Sequence, residues 1–252
     1  MNLAIKMTNK DRIKILEKEY AFTYVVLGLY SKACKTFRSI HILCTKSLGE
    51  DANALLRILM EICVNLFYIA EDKQKRTQLF LYKMIKSSKR LGDRIKSNKK
   101  LRDISIPKES WEKVKETYKE TQQNHPKEIL IERIKTFIIG NIFHRPVLRI
   151  STWSGESLQN MAYKTGLREI YDLINPFSSM SVHGEDLLDH ISFDETAGIT
   201  LNVIPGDKWV NPVLSPAILI FLTIVNEINS LFELGKDKEL QVFFDKFKKF
   251  KE

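Results

Sequence analysis

The most distinctive pattern lies in residues 51–68, where a polar side chain recurs at every fourth position of a segment that is otherwise largely apolar. We call these four residues the polar row: Asn53, Arg57, Glu61 and Asn65. A spacing of four residues places side chains above one another on one side of a helix. A helix that is apolar on most of its circumference normally lies inside a protein, so we expect the polar row to be buried and to contact polar groups from elsewhere in the chain.

Apolar residues recur at helical spacing along most of the remaining sequence. Besides the helix of the polar row, helices are predicted at residues 9–48, 73–97, 107–124, 127–139, 156–165, 167–174, 216–234 and 236–250, with one or two further turns at 181–190. Gly49 and Pro176 are expected to interrupt helices. Residues 191–204 contain alternating β-forming residues around a glycine-containing turn, which favours a small β-hairpin.

These elements predict an all-α fold, a multi-helix bundle with a buried polar row and a small β-hairpin near residues 191–204. The chain has 252 residues, of which 44% are hydrophobic, and this content is ample for a core. Neither an internal repeat nor a clear linker is present. We therefore predict a single helical domain over residues 1–252, with the hairpin and the C-terminal helical pair in residues 191–252.

Charge and composition limit the expected cellular location of the protein and the kinds of partner it can bind. Forty Lys and Arg against 31 Asp and Glu give a formal net charge of +9, which favours an anionic partner. The three cysteines form no closely spaced pair, so neither a disulfide framework nor a zinc cluster is indicated. The N-terminal residues lack the apolar stretch of a signal peptide, and polar residues break the apolar run that begins at Ala217. We expect a cytoplasmic protein that does not cross a membrane.

Basic residues are concentrated between Lys73 and Arg102, a segment with twelve Lys or Arg and one acidic residue, Asp93. Five of them fall within about 80° of one another on a helix and form what we call the basic stripe: Arg76, Lys83, Lys86, Arg90 and Arg94. Such a stripe can follow a phosphate backbone, and it can equally be a solvated helix face.

A second polar segment, residues 171–184, is a candidate partner for the polar row. It combines Tyr171, three serines that include Ser181, and His183 in a short segment that contains Pro176. If His183 meets Arg57 and Glu61, the site has a general acid or base, a cation for phosphate and a carboxylate that orients either one. A purely structural network of hydrogen bonds and an ion pair would use the same residue types.

A metal site is a weaker alternative around the same histidine. On a continuous helix, His183, Asp186 and His190 would point roughly the same way and offer nitrogen and oxygen ligands. The sequence has no phosphate-binding loop, dinucleotide fingerprint, nucleophile elbow or HExxH motif. No cofactor is therefore indicated.

Three segments resemble an uncharacterised bacterial family, domain of unknown function 5677: residues 54–61 (ALLRILME), 153–166 (WSGESLQNMAYKTG) and 171–183. The resemblance covers roughly residues 48–190. It implies a helical fold with no settled activity, and it marks Arg57, Glu61, Tyr171, Ser181 and His183 as the family's positions.

A looser resemblance is to the helical HEPN ribonucleases of toxin and antiphage defence systems. Those proteins usually cut RNA without a metal, using an Arg and a His separated by four to six residues. The nearest arginine before His183 is Arg168, so this chain lacks that spacing and Arg57 would have to act from another helix.

Together these features favour a bacterial defence- or toxin-type protein that binds or cleaves nucleic acid, with RNA as the favoured substrate of a metal-independent ribonuclease. The alternatives are a non-enzymatic helical interaction or sensor module whose network is structural, and a metal-dependent hydrolase. The expected partners are RNA or an acidic protein. A homodimer, or a partner encoded in the same operon, is also compatible with a defence- or toxin-type protein.

Overall fold

The computed structural model describes residues 20–97, 116, 119, 153–183, 190–194, 198–201 and 204–251. The elements in chain order are α1 Tyr20–Cys44, α2 Gly49–Glu71, α3 Lys75–Ser97, α4 Leu158–Lys164, α5 Arg168–His183, β1 Ile191–Asp194, β2 Gly198–Leu201, a 3-10 turn Asp207–Trp209, α6 Val210–Leu231 and α7 Asp237–Lys251. The predicted all-α fold is confirmed. The helices predicted at 107–124 and 127–139 lie almost entirely outside the described residues.

The chain divides into two compact units, one made of Met1–Glu71 with Gln159–Glu252 and the other of Asp72–Leu158. The first unit contains α1, α2, most of α4, and everything from α5 to α7. The second contains α3. The single-domain organisation over residues 1–252 stays a prediction.

Helix α2 is the centre of the first unit, because α1, α5 and α6 all pack against it. Its fully buried apolar side chains are typical of a helix enclosed on several sides: Ala52, Leu56, Leu59, Met60, Cys63, Val64, Leu66 and Ile69. Helices α1 and α6 also contact each other, and Phe37 stacks on Phe221 with ring centroids 4.3 Å apart. The apolar core of this unit is therefore continuous across three helices.

Gly49 is the first residue of α2 and lies in close contact with the backbone of Trp209. A Cβ atom at this position would lie 2.5 Å from the backbone carbonyl carbon of Trp209, a separation that real Cβ atoms do not adopt. The sequence pattern predicted a stop at Gly49, and α1 in fact ends earlier, at Cys44. Glycine is needed here because α2 starts directly against the backbone at the beginning of α6.

Helix α5 runs without interruption through Pro176, so the predicted break there is wrong. Proline removes one backbone hydrogen bond and disfavours a helix interior by about 3 kcal/mol. Burial on both sides of the proline opposes that cost: Ile174 and Ser178 are both buried, and the Ser178 hydroxyl donates to the carbonyl of Ile174 at 2.7 Å. Residues 171–183 therefore share one helical register.

The C-terminal part matches the predicted order of elements. Strands β1 and β2 form an antiparallel hairpin in which Ile191 pairs with Leu201 and Phe193 with Ile199, which confirms the predicted hairpin. Helix α6 starts six residues before Pro216, where the predicted helix began. Pro216 lies within the second turn, where only one backbone bond is lost.

Within the described residues, two apolar stretches are long enough to cross a membrane by length and composition alone: α2, and the residues Asp207–Leu231 that include α6. Core helices of water-soluble proteins meet the same criterion, and α2 and α6 pack against each other. The cytoplasmic location stays a prediction.

Candidate functional site

The polar row extends along α2 from the protein core to the solvent. Asn53 is completely buried, whereas the side chains of Arg57 and Glu61 keep 28% and 42% of their surface exposed. The expectation of a fully buried row therefore holds for Asn53 and is wrong for the charged pair. Partial hydration lowers the desolvation cost that two fully buried charges would carry.

The ends of the row are fixed by amide hydrogen bonds. The Asn53 side-chain amide donates to the backbone carbonyl of Phe177 on α5, with an N···O distance of 3.2 Å. The Asn65 amide donates to the backbone carbonyl of Glu61 on its own helix at 2.8 Å. The first bond joins α2 to α5, and the ring of Phe177 packs 5.1 Å from that of Trp209. The row is therefore anchored to the same region where Gly49 meets α6.

Arg57 is held by one residue from α2 and one residue from α5. Its Nε lies 3.3 Å from Oε1 of Glu61, one turn later on α2. Its Nη1 donates to the hydroxyl oxygen of Ser179 on α5 at 2.9 Å. A guanidinium has five N–H donors, and these two contacts use two of them. The described residues thus hold the arginine in place and use two of its five donors, while part of the side chain faces solvent.

Tyr171 lies close enough to Arg57 and Glu61 to interact electrostatically with both. Burial raises the pKa of its phenol, with smaller increases from Tyr163, Asp172 and Glu61, while the positive charge of Arg57 acts in the opposite direction. A raised pKa keeps the hydroxyl protonated at neutral pH, so Tyr171 can donate a hydrogen bond and is a poor base. The structure thus brings three of the five predicted residues together: Arg57, Glu61 and Tyr171.

The other two predicted residues, Ser181 and His183, belong to the last turn of α5, and their side chains lie outside the described part of the structure. Among the described residues, a hydroxyl that contacts Arg57 comes from Ser179, which the sequence pattern does not predict. Ser181 and His183 follow Ser179 by two and four positions on the same helix.

The sequence could have identified Ser179 if α5 had been taken as continuous. Ser179 follows Tyr171 by eight residues, which is about 80° around a helix, so both can face α2. A helix break at Pro176 would place Tyr171 and Ser179 in separate elements, so the expected break concealed their shared side of one helix. A helical wheel that continues through Pro176 places Ser179 near Tyr171 and so identifies it as a candidate.

A second polar cluster adjoins Tyr171 on α4 and α5. The hydroxyl of Tyr163 donates to Oδ1 of Asp172 at 2.7 Å and accepts from the amide of Gln159 at 2.9 Å. Arg168 Nε donates to Oδ2 of the same carboxylate at 3.3 Å, and its guanidinium lies 4.8 Å from the centre of the Tyr163 ring. The Tyr163 and Tyr171 rings meet edge to face with centroids 6.3 Å apart. The sequence pattern does not predict this cluster, because its members come from two helices.

The alternative metal ligands are not arranged on one helix. His190 lies in a bend directly before β1, and its Nε2 is 3.1 Å from Oε1 of Glu50, at the start of α2. The predicted helical turn therefore does not include His190. The side chains of His183 and Asp186 are outside the described residues. Among the residues that are described, no three His, Cys, Asp or Glu side chains gather as metal ligands would.

The basic stripe lies on α3, in the second unit. Helix α3 is continuous from Lys75 to Ser97, and the amide of Lys75 donates to the carboxylate of Asp72 at its N-terminus. Arg90 and Arg94 are exposed, whereas Arg76, Lys83 and Lys86 are half-buried. Lys86 lies 5.3 Å from the centre of the Tyr82 ring. All five predicted residues therefore occupy one helix with the spacing that the stripe requires.

Comparison with known proteins bears on the family of the chain. Neither the curated proteins nor the solved structures match the chain. Residues 23–199 match the model of a family described only as a family of unknown function, DUF5677. The match includes nearly all of α1, the whole of α2 and α5, and the first strand of the hairpin, so it covers every residue of the Arg57 site. The chain belongs to the DUF5677 family of unknown function.

Proposed function

We propose that the protein binds RNA at the Arg57 site and cleaves it without a metal, as a bacterial defence- or toxin-type ribonuclease. The observation that carries the proposal is the state of Arg57: Glu61 and Ser179 hold it, and 28% of its side chain is exposed. A fixed and partly exposed guanidinium is well suited to a phosphate group, because its planar fork can donate two parallel hydrogen bonds.

The surroundings of Arg57 suit an anionic ligand. Tyr171 keeps its proton at neutral pH and can donate to a phosphate oxygen. The chain carries a net charge of +9, which attracts polyanions, and the basic stripe offers a second surface for a nucleic acid backbone. Glu61 offsets part of the arginine charge, and in return it orients the guanidinium.

In the proposed reaction, His183 acts as the general acid or base. As base it removes the proton of a ribose 2′-hydroxyl, whose oxygen forms a bond to the adjacent phosphorus while the bond from phosphorus to the 5′-oxygen breaks. That proton then passes to the leaving 5′-oxygen. Arg57 stabilises the charge on the phosphate, Glu61 orients Arg57, and Tyr171 with Ser181 completes the site. The need for a 2′-hydroxyl selects RNA over DNA.

The resemblance to HEPN ribonucleases gains no support from the comparisons, which match neither a curated protein nor a solved structure. The ribonuclease proposal therefore depends on the chemistry of the Arg57 site and on the net charge.

The test is a cleavage assay on a fluorescently labelled single-stranded RNA in the presence of a chelator. We expect Arg57→Ala and His183→Ala each to lower the cleavage rate by about 100-fold or more, as is typical for the loss of a charge-stabilising or proton-transfer group. Arg38→Ala is the matched control, because it removes an exposed arginine from α1. Undiminished cleavage by both site variants contradicts the assignment.

A second candidate function is a non-enzymatic interaction or sensor module. The bonds from Arg57 to Ser179 and from Asn53 to Phe177 both join α2 to α5, which is what a structural network does. In that case Arg57→Ala lowers the free energy of unfolding, and binding to RNA or an acidic protein is lost only as folding is lost. The third candidate, a metal-dependent hydrolase, predicts that the chelator abolishes activity.

A further inference from the structure

The cluster beside Tyr171 contains an aromatic ring that is both fixed and accessible. Tyr163 is 36% exposed, although its hydroxyl is bonded to Asp172 and Gln159 and its ring meets that of Tyr171 edge to face. An exposed tyrosine ring that is held in one orientation loses little conformational entropy when a ligand packs on it. The cluster is therefore preorganised for a flat ligand.

Arg168 lies over this ring with most of its own surface free. Its guanidinium is 4.8 Å from the Tyr163 ring centre, its Nε is bonded to Asp172, and 69% of its side chain is exposed. The bond to Asp172 fixes the direction of the guanidinium, and the ring supports one side of it. Nucleobases stack on arginine planes as well as on aromatic rings. The pair therefore presents a flat guanidinium surface next to the Arg57 site.

We propose that Tyr163 and Arg168 form a stacking platform for an unpaired base of a single-stranded RNA whose phosphate is bound by Arg57. The inference rests on the proposed function and adds the form of the substrate to it. In a duplex the bases are already stacked inside the helix, so the platform can accept only an unpaired base. Tyr171 connects the two parts, because it contacts the Tyr163 ring and lies within electrostatic range of Arg57.

The test measures binding of a labelled 2′-O-methyl single strand and of the corresponding duplex by fluorescence anisotropy. The 2′-O-methyl group prevents cleavage during the measurement. Arg168→Lys keeps the charge and removes the plane, and Tyr163→Ala removes the support beneath it. We expect each variant to bind the single strand at least about 5-fold more weakly, as the loss of one stacked base predicts, with duplex binding unchanged.

Two control variants match these substitutions on α1. Arg38→Lys makes the same charge-preserving change at an exposed arginine, and Tyr24→Ala removes an exposed tyrosine. Both are expected to bind as the wild type does. Thermal melting checks folding, and Arg168→Lys, a surface change, gives the result if Tyr163→Ala does not fold.

The outcomes separate the inference from the proposed function. Wild-type affinity for the single strand in Arg168→Lys overturns the platform, because charge alone then suffices. The RNA site at Arg57 stands in that case if Arg57→Ala still weakens binding. If the wild type binds neither single strand nor duplex, the proposed function fails and the platform fails with it.

Discussion

At the residue scale, the polar groups of the first unit differ chiefly in how far each is removed from water. Asn53 is fully buried and uses its amide to join two helices, whereas Arg57 and Glu61 remain partly hydrated. A neutral amide can be buried at low cost once it is hydrogen-bonded, but a charge cannot. The same argument applies to Glu227 on α6, whose carboxyl is half-buried next to Cys63.

The hydrogen bond of Asn53 gives the first stability prediction. Asn53→Ala leaves the carbonyl of Phe177 without this donor inside the protein, and we expect a loss of about 1–3 kcal/mol in the free energy of unfolding. Asn65→Ala removes a bond to the preceding turn at a half-buried position, and its effect should be smaller. Urea denaturation measures both variants. Equal stability of Asn53→Ala and the wild type contradicts the anchoring role.

Glu227 gives a prediction about pH. Burial raises the pKa of its carboxyl above the ordinary 4.5, so the folded state binds this proton more tightly than the unfolded state. The contribution to stability is therefore complete below pH 4.5 and is lost as the pH rises through the folded-state pKa. We expect Glu227→Gln to be more stable than the wild type at neutral pH, with the difference vanishing below 4.5. Thermal melting from below pH 4.5 to neutral pH tests the sign of this stability difference. A variant that is less stable than the wild type at neutral pH would refute the prediction.

At the scale of elements, the sequence predicts helices well where the hydrophobic period is regular and fails where two elements meet. The helix of the polar row, α3 and the hairpin follow directly from periodicity. Continuation of α5 through Pro176 depends on burial of Ile174 and Ser178, which are tertiary contacts that the local sequence does not reveal. The role of Gly49 likewise depends on Trp209, which is distant in sequence.

Two helical glycines provide a matched pair for testing that contact. Gly49→Ala places a Cβ against the backbone of Trp209, and we expect a loss of about 1–3 kcal/mol in the free energy of unfolding from overpacking. Gly28→Ala on α1 meets no atom within 4 Å and should gain about 0.5–1 kcal/mol from helix propensity. Chemical denaturation of both variants measures the contrast. A stabilising effect at both positions would contradict the close approach of α2 to the start of α6.

The basic stripe on α3 gives a prediction about binding. Replacing Lys83, Lys86 and Arg90 together by glutamine removes three charges, and we expect weaker RNA binding with a smaller dependence on salt and no unfolding. The matched control replaces three exposed lysines of α7 by glutamine: Lys246, Lys248 and Lys249. Both variants lose the same net charge. If they weaken binding equally, overall charge and not the stripe attracts RNA.

At the scale of the whole molecule, the sequence predicts the fold class and the pairing of Arg57, Glu61 and Tyr171, because a helical period and a family pattern identify them. It does not predict Ser179, nor the cluster of Tyr163, Arg168 and Asp172, because those contacts depend on how α4 and α5 pack. Membership of DUF5677 covers the site residues without assigning an activity. Function must therefore be tested at the site itself.

The most direct measurement is the rate of single-stranded RNA cleavage by the wild type, Arg57→Ala and His183→Ala in the presence of a chelator, with folding checked by thermal melting. The proposed function predicts cleavage by the wild type and a loss of about 100-fold or more in each folded variant. Cleavage that persists undiminished in both folded variants, or no cleavage by the wild type, would contradict it.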